Sequence, residues 1–339
     1  MTLQLTNKEH DYEVTLVADS ISEEGQRIST FVLTYWRAIH GELMTHRLFS
    51  RNAMSSRAVP IEKMIEHINN RPAMPVHWGK NQPGMQANEE HDADVTIDLS
   101  WLMNASDYET DEPVNFSYTL PKKEAWHEAK RFAISAAKGF NDAGYHKQIV
   151  NRLTEPYQFM RTVVTATDFD NWYWLRDHSD AQPDIKLLAS MMLELHNKST
   201  PKTLDSTEWH TPFYKDGFWS SHYIDDDGVE FDRYNNTLET ALKISSSCAA
   251  QASFRKADDS TEKAENVYQR LVESSPVHAS PFEHPAKPID DSEDGDWEEG
   301  VTHMDRNGNY WSGNFKGWVQ YRQLIKNNAC WDYEMLSTK

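Results

Sequence analysis

Two runs of β-branched and aromatic residues near the N-terminus constrain the fold most, because such runs form strands whereas most of the chain beyond them has helical spacing. Residues 14–17 (VTLV) and 29–35 (STFVLTY) predict two strands. Apolar residues three and four apart predict helices over residues 38–48, 61–68, 122–140, 157–176, 184–196, 237–248 and 261–272. The combination predicts an α+β protein with mixed helices and a small antiparallel sheet.

Stretches rich in Pro, Gly, Asn and Asp separate these predicted elements. They cover residues 72–120, 200–233 and 276–312 and predict loops. Residues 315–325 predict a closing strand or helix. We expect one catalytic unit over residues 1–339, with functional parts in residues 1–70, 120–200 and 235–339.

The net charge limits the possible partners. The chain has 34 Lys and Arg against 53 Asp and Glu, a formal net charge of −19. A field of that sign repels a phosphate backbone, so no nucleic acid polymer is expected as a partner. A small phosphorylated ligand remains compatible wherever arginines cluster. The acidic run at 290–296 predicts a solvated loop.

Cysteine usage and the absence of long apolar segments indicate the cell compartment. Cys248 and Cys330 are the only cysteines, too few for a disulfide framework or a cysteine-based zinc site. The first residues have no apolar core of a signal peptide, and no stretch is long enough to span a membrane. We therefore expect a cytoplasmic protein with no membrane partner.

The first functional block is residues 45–57 (THRLFSRNAMSSR), which concentrates positive charge and hydroxyl groups in an acidic chain. It contains His46, Arg47, Arg51 and Arg57. Guanidinium groups beside hydroxyl donors suit a phosphate or pyrophosphate. Judged by charge alone, a solvated basic helix end is the better explanation.

The second block is residues 152–185, where a basic and aromatic sequence (NWYWLR) ends at Arg176. Asn171 and Arg176 are five residues apart, which on an ideal helix separates them by roughly 140° and fits two ligands on different sides. The ordinary alternative is an arginine that snorkels or forms an ion pair with Asp177.

The third block is residues 278–284 (HASPFEH), preceded by residues 248–256 (CAAQASFRK). Its two histidines and its glutamate lack the helical spacing of an HExxH metal site, so we expect no metal. A similar sequence at 210–213 (HTPF) lacks the following Glu-His and predicts a structural loop.

The three blocks resemble the signatures of the flavin-dependent thymidylate synthases. The first resembles Arg-His-Arg-x-x-Ser-x-Asn-Glu-x-Ser-x-Arg, the second an Arg and Pro followed by Asn-aromatic-x-x-Leu-Arg and Ala-Gln, and the third His-x-Thr-Pro-Phe-Glu-His. In that family the third block precedes the first, so the order here looks circularly permuted. Permutation is tolerated when the original termini lie close together at the surface.

The resemblance implies roles for individual residues. Arg176 matches the catalytic arginine, whose fixed cation stabilises the negative charge that builds on a uracil ring as C5 becomes nucleophilic. The implied substrate-binding residues are Ser55, Ser56, Arg57, Arg152 and Glu42. The implied flavin-binding residues are His46, Arg47, Ser50, Asn52, Asn171, His278 and Ser280.

The resemblance also implies a reaction and its cofactors. FAD would be reduced by NADPH, and methylenetetrahydrofolate would donate a one-carbon unit to dUMP, giving dTMP. The cofactor supplies the redox chemistry, and the protein supplies binding, orientation and charge. The family works as a homotetramer with flavin sites between subunits, so a homotetramer is expected.

Four departures from the family pattern leave two alternatives open. Thr45 and Ala53 stand where the first signature has Arg and Glu, Pro183 replaces a Trp, and Glu42 replaces a substrate-binding Gln. One alternative is a hydroxymethylase of dUMP or dCMP. The other is a non-catalytic nucleotide-binding relative.

Overall fold

The computed structural model describes residues 2–84, 87–100, 116–290 and 297–332. The strands in these ranges are β1 (Leu3–Asn7), β2 (Tyr12–Ser22), β3 (Arg27–Trp36), β4 (Ser50–Ala53), β5 (Val95–Asp98), β6 (Ser117–Leu120), β7 (Phe159–Ala166), β8 (Lys202–Leu204), β9 (Trp209–His210), β10 (Phe218–Trp219), β11 (Tyr223–Ile224), β12 (Glu230–Phe231), β13 (Ala286–Pro288), β14 (His303–Met304), β15 (Tyr310–Ser312), β16 (Phe315–Lys316) and β17 (Trp318–Gln320). The helices are α1 (His40–Leu43), α2 (Ile61–Asn70), α3 (Lys122–Asp142), α4 (Lys147–Val150), α5 (Asp170–Arg176), α6 (Pro183–Lys198), α7 (Leu238–Ala250), α8 (Thr261–Leu271) and α9 (Tyr321–Leu324). Short 3-10 turns cover Arg37–Ile39, Asn151–Tyr157 and Ser280–Glu283. Apart from Asp290, the acidic run predicted as a loop lies outside the described residues.

A six-stranded sheet organises the fold. Its strand order is β1-β2-β3-β7-β4, and β8 joins β2 at the side. The pairings are antiparallel except that of β8 with β2. Smaller antiparallel sheets and the helices complete a mixed architecture. The predicted α+β class is thus confirmed in its broad form.

The two faces of this sheet differ in chemistry. In β3, Phe31, Leu33 and Tyr35 lie in the main apolar core together with residues of α6. The alternate residues Thr30 and Thr34 are equally buried but lie on the opposite face. One face therefore carries the apolar core, and the other buries polar side chains.

The helix predicted over 157–176 is wrong in its first half. Residues Phe159–Ala166 form β7, which pairs with β3 and β4, and only residues Asp170–Arg176 form a helix, α5. The Thr-Val-Val-Thr sequence at 162–165 explains the difference, because β-branched side chains fit a buried strand better than a helix.

Other boundaries were predicted with mixed success. The helix expected over 38–48 is limited to His40–Leu43, and the 315–325 segment contains both short strands and a short helix. The predicted loop at 72–120 includes the antiparallel strand pair β5 and β6. The remaining predicted helices are present. No helix within the described parts of the chain has the length and apolar character that a bilayer crossing requires.

The start of α6 illustrates how local sequence places an element. Pro183 occupies the first turn, where its missing N–H costs no hydrogen bond. The side chain of Gln182 accepts a hydrogen bond from the backbone N–H of Ile185 at 2.9 Å. Pro183 therefore begins the helix that packs on β2 and β3.

Ile185→Ala tests the contribution of this packing. Ile185 is fully buried, so the truncation should lower the free energy of unfolding by about 2–5 kcal/mol. Ile149→Ala is the matched control, because Ile149 is also helical but 47% exposed. Urea denaturation measures both variants, and equal losses of stability would contradict the assignment of α6 to the core.

Candidate functional site

Arg176 lies at the end of α5 and faces the first block. Its Nε donates to Nε2 of His46 at 3.0 Å. Its Nη1 donates to the Glu42 carboxylate at 3.2 Å, and its Nη2 lies 3.5 Å from the Thr45 hydroxyl oxygen. The structure thus brings the predicted catalytic arginine into contact with three residues that lie at least 130 positions earlier in the sequence.

His46 is held as a neutral acceptor for Arg176. Its ring lies almost perpendicular to that of Trp172, with 4.7 Å between the ring centroids. Burial, with the positive charges of Arg176 and Arg51, lowers the His46 pKa to about 4. At neutral pH its Nε2 therefore carries a lone pair that accepts the Arg176 Nε–H.

Arg51 fixes the loop that carries His46. Its Nη1 donates to the backbone carbonyl oxygens of Met44 at 2.7 Å and His46 at 3.1 Å. This arginine is part of the first block, but its role as an internal brace was not predicted. The carbonyl groups that it binds are left without helical partners because α1 ends at Leu43.

The alternative explanation for Arg176 was an ion pair with Asp177. Arg176 does form an ion pair, but its partner is not Asp177. Asp177 accepts a hydrogen bond from the hydroxyl of Ser190 on α6. Arg176 pairs with Glu42, and the two side chains remain 23% and 41% exposed. A ligand can therefore approach this pair from solvent.

The first and third blocks also meet. His284 follows the 3-10 turn Ser280–Glu283, is fully buried, and its Nε2 lies 3.0 Å from the side-chain amide of Asn52. Its Nδ1 lies 2.8 Å from the hydroxyl oxygen of Thr165 in β7. Burial, with the nearby His210, lowers the His284 pKa to about 3, so this imidazole is neutral.

The residues predicted to hold a phosphate lie on the turn after β4 and on the segment around Asn151, which is hydrogen-bonded to that turn. Ser55 and Arg57 are exposed on the turn after β4, whereas Ser56 is buried. The Ser56 carbonyl accepts a hydrogen bond from the Asn151 side chain at 2.8 Å. Arg152 follows Asn151, and its side chain is 61% exposed with one distant carboxylate partner at 3.5 Å.

The residues predicted to hold the flavin are divided between the surface and the interior. Arg47, Asn171, His278 and Ser280 are exposed. Ser50 is buried, and its hydroxyl oxygen accepts hydrogen bonds from side-chain amides of the C-terminal segment, Asn314 at 3.1 Å and Gln320 at 3.2 Å. A cofactor contact of Ser50 stays a prediction.

The third-block residues considered as metal ligands have different surroundings. His278 is exposed, His284 binds Thr165 and Asn52, and Glu283 forms an ion pair with Arg322. Across the described ranges, no group of three or more His, Cys, Asp or Glu side chains is arranged to hold a metal ion.

Several structural partners of the site were missed in the sequence. His210, interpreted as part of a structural loop, is a fully buried member of β9 whose ring binds Ser20 and Thr30. The C-terminal segment, which had no assigned role, supplies Gln320 to Ser50 and Arg322 to Glu283. The available signal was the position of Gln320 and Arg322 between aromatic and apolar residues.

The segment before the third block lines a cavity of about 220 Å³ on the polar side of the sheet. Residues 248–256 contribute Arg255 and Lys256, and β7 contributes Arg161 and Val163. Val163 is paired with Asn52 across the β4–β7 ladder. This cationic cavity is therefore one strand away from the contact between the first and third blocks.

Comparisons with known proteins give limited similarity. Neither a protein-family model nor a curated protein matches the chain. A solved structure with some likeness is that of a UMP/dUMP methylase PolB from Streptomyces cacaoi bound with 5-Br dUMP. The sequences are 15% identical, the TM-score is 0.34, and the match covers 51% of this chain and 66% of that chain. Any activity of this chain is therefore a proposal that depends on contacts among its own residues.

The neutral state of His46 can be tested by an NMR titration of its ring. Its midpoint should lie near pH 4, because burial and two arginines disfavour the charged form. The pKa of His46 in the folded protein is below the value of about 6.5 in an unfolded chain. The stability that depends on a neutral His46 is therefore present above pH 6.5 and is lost as the pH falls towards 4.

Arg176→Met should move the midpoint upward, because it removes one of the two neighbouring positive charges. Arg131→Met is the control, since Arg131 lies on α3 with its side chain 70% exposed. A midpoint near 6.5 in the unaltered protein would show that His46 is not buried beside Arg176.

Proposed function

We propose that the protein is a flavin-dependent thymidylate synthase that methylates dUMP to dTMP, with methylenetetrahydrofolate as carbon donor and reduced FAD as hydride source. The observation that carries the proposal is the meeting of three blocks that are distant in sequence. Arg176 of the second block binds His46 of the first block and Glu42, three residues before that block, and Asn52 of the first block binds His284 of the third. These are the blocks that the family resemblance assigns to one site.

Arg176 suits the stabilisation of a developing anion. A guanidinium has five N–H hydrogens, and His46, Glu42 and Thr45 take one each. Two hydrogens on the Nη atoms remain for a ligand. A planar donor that stays protonated can hold the carbonyl oxygen and ring nitrogen of a uracil as negative charge builds there, which makes C5 nucleophilic. The His46 acceptor fixes the plane of this donor before the substrate arrives.

The donors around the turn after β4 suit the substrate phosphate. Arg57 has no ion pair with any described residue, and Arg152 has only the long contact to Glu155. Ser55 adds an exposed hydroxyl and Ser56 the turn backbone beside it. In a chain of net charge −19, one arginine without an ion pair among the described residues and one with only a long contact form a local site for a dianion.

Other exposed donors of the first and second blocks suit a flavin dinucleotide. Arg47 and Asn171 are exposed and have no side-chain hydrogen bond with any described residue, so a cation and an amide remain available for a pyrophosphate and a polar ring edge. When bound and reduced by NADPH, FAD would supply the hydride that completes the methyl group. His46, Arg47, Asn171 and His278 would hold it. A homotetramer would let the exposed members of this set meet a second subunit.

The proposal is tested by flavin binding and by release of hydrogen from C5 of dUMP. The purified protein should take up FAD, and with methylenetetrahydrofolate and NADPH it should release the C5 hydrogen and form dTMP. A product heavier by a hydroxymethyl group would favour the hydroxymethylase alternative. Failure to take up flavin would favour the non-catalytic alternative and overturn the proposal.

Arg176→Ala should lower turnover by about 10²–10³-fold with flavin still bound, which is the usual cost of removing one donor to a developing oxyanion. Arg131→Ala is the matched control, because Arg131 is an exposed surface arginine paired with Glu128. Steady-state rates of C5 hydrogen release and flavin absorbance are measured on both. Unchanged turnover in the Arg176 variant would remove this residue from the mechanism.

Glu42→Gln should tighten binding of dUMP, by up to about fivefold, because a partly exposed ion pair is worth roughly 1 kcal/mol or less. The change removes a negative charge 3.2 Å from Arg176 and restores the residue that the family has at this place. Glu194→Gln on α6 is the control, since Glu194 is similarly exposed and paired with Lys198. Calorimetric titration measures both, and weaker dUMP binding in the Glu42 variant would show that the carboxylate itself contacts the nucleotide.

A further inference from the structure

A continuous chain of hydrogen-bonded side chains crosses the polar face of the central sheet. Each neighbouring pair of polar atoms is separated by 2.7–3.0 Å. Five of the six members are at most 1% exposed. In spatial order the members are Ser20, His210, Thr30, Thr165, His284 and Asn52.

The chemistry of these groups allows only two directions in which all hydrogen bonds of this side-chain network can be donated. A hydroxyl has one hydrogen, and a neutral imidazole has one N–H and one acceptor nitrogen. Both histidines are neutral, since burial lowers the pKa of His210 and of His284 to about 3. If every group donates to its neighbour on one side, every contact is satisfied. A reversal would leave either two acceptors facing each other, or a threonine that accepts from both neighbours and has no partner in the chain for its own buried hydrogen, and both arrangements are costly.

Asn52, at one end, selects between the two directions. One end of its amide lies 3.0 Å from His284 Nε2, 3.1 Å from the Ser280 carbonyl oxygen and 3.3 Å from the Arg51 carbonyl oxygen. An amide oxygen in this place would face two carbonyl oxygens, whereas the two hydrogens of an amide nitrogen can go to the two nearest acceptors, His284 Nε2 and the Ser280 carbonyl oxygen. The nitrogen therefore occupies this place, and His284 Nε2 must accept from it.

The remaining hydrogens follow from this choice. His284 carries its hydrogen on Nδ1 and donates it to Thr165, whose hydroxyl then donates to Thr30. Thr30 donates to Nε2 of His210, and His210 donates from Nδ1 to Ser20. The orientation of one amide on β4 thus fixes the tautomers of two histidines on the covering segments.

We propose that His284 is a positioning residue that, through this chain, holds the Asn52 amide with Nδ2 towards the third block and Oδ1 turned away from it. The hydrogen pattern depends only on contacts among the six side chains and the two carbonyl groups beside Asn52. Its connection to a ligand rests on the proposed function, in which the block that contains Asn52 contacts the flavin. The chain makes the direction of that amide a property of the folded protein, set before any ligand binds.

The first test is ¹⁵N NMR of the protein labelled with ¹⁵N-histidine, without added ligand. His210 and His284 should both carry hydrogen on Nδ1 and a bare Nε2. Hydrogen on Nε2 of either ring would overturn the proposal, because the chain would then run in the other direction or be broken.

A set of variants tests whether the two histidines are coupled. Asn52→Asp places an acceptor against His284, so His284 should move its hydrogen to Nε2, and His210 should follow through the two threonines. When Thr165→Val is added to Asn52→Asp, His284 should still carry its hydrogen on Nε2, whereas His210 should no longer follow the change. Thr162→Val is the matched control, because Thr162 is a buried neighbour on β7 whose hydroxyl binds Tyr35 and lies outside the chain. A His210 that ignores Asn52→Asp, or follows it despite Thr165→Val, would overturn the coupling.

The connection to the cofactor is tested with FAD itself. Thr165→Val should weaken FAD binding by about threefold to tenfold, the worth of one buried hydrogen bond, whereas Thr162→Val should change it by less than about twofold. Equal FAD affinity in the two variants would overturn the positioning role. If the unaltered protein binds no FAD, the proposed function fails, while the tautomers of His210 and His284 still decide the hydrogen pattern.

Discussion

The pairing of β7 with β3 on one side and β4 on the other is the interaction on which the site depends. β7 aligns Thr165 with Thr30 of β3 and with Ser50 of β4. The same strand leads, after three residues, into α5 and Arg176. A slip of one residue in this register would turn Val164 to the polar face and Thr165 into the apolar core. Both the contact of Asn52 with His284 and the approach of Arg176 to His46 therefore follow from one ladder of backbone hydrogen bonds.

The sequence contains the chemistry of β7 but not its conformation. Residues 162–165 are β-prone, yet they are followed directly by the helical pattern of α5, and a short apolar run between such neighbours has no period that separates strand from helix. The central position of β7 in the sheet decides the matter, because both edges of the strand find backbone partners there. The strands β2 and β3 and the long helix α3 were predictable, since each has a run long enough for its own period to show.

Residue types in the site were likewise predictable, whereas their partners were not. Arg176 needed a carboxylate or an acceptor nearby, and Asp177 was the nearest one along the chain. Asp177 follows the last turn of α5, and its carboxylate faces Ser190 of α6. Arg176 therefore forms its ion pair with Glu42 of α1. His210 shows the same limit. A histidine in a two-residue strand gives no sign in the sequence that two hydroxyls on neighbouring strands will satisfy both of its nitrogens.

The polar face of the sheet connects stability with the requirements of a binding site. Burying two imidazoles and two threonine hydroxyls is unfavourable unless every hydrogen bond is formed, and the chain of contacts forms them. Such a face offers less apolar stabilisation than the side covered by α6, but it holds its groups in one arrangement, since any displacement leaves a buried polar atom without a partner. Asn52 lies where this rigid network ends, and Arg57 follows five residues later on an exposed turn. The network holds β4 in place on the polar face of the sheet, and the turn after β4 is open to solvent. An anionic ligand needs both, because it must reach its site from solvent and be held there in one orientation.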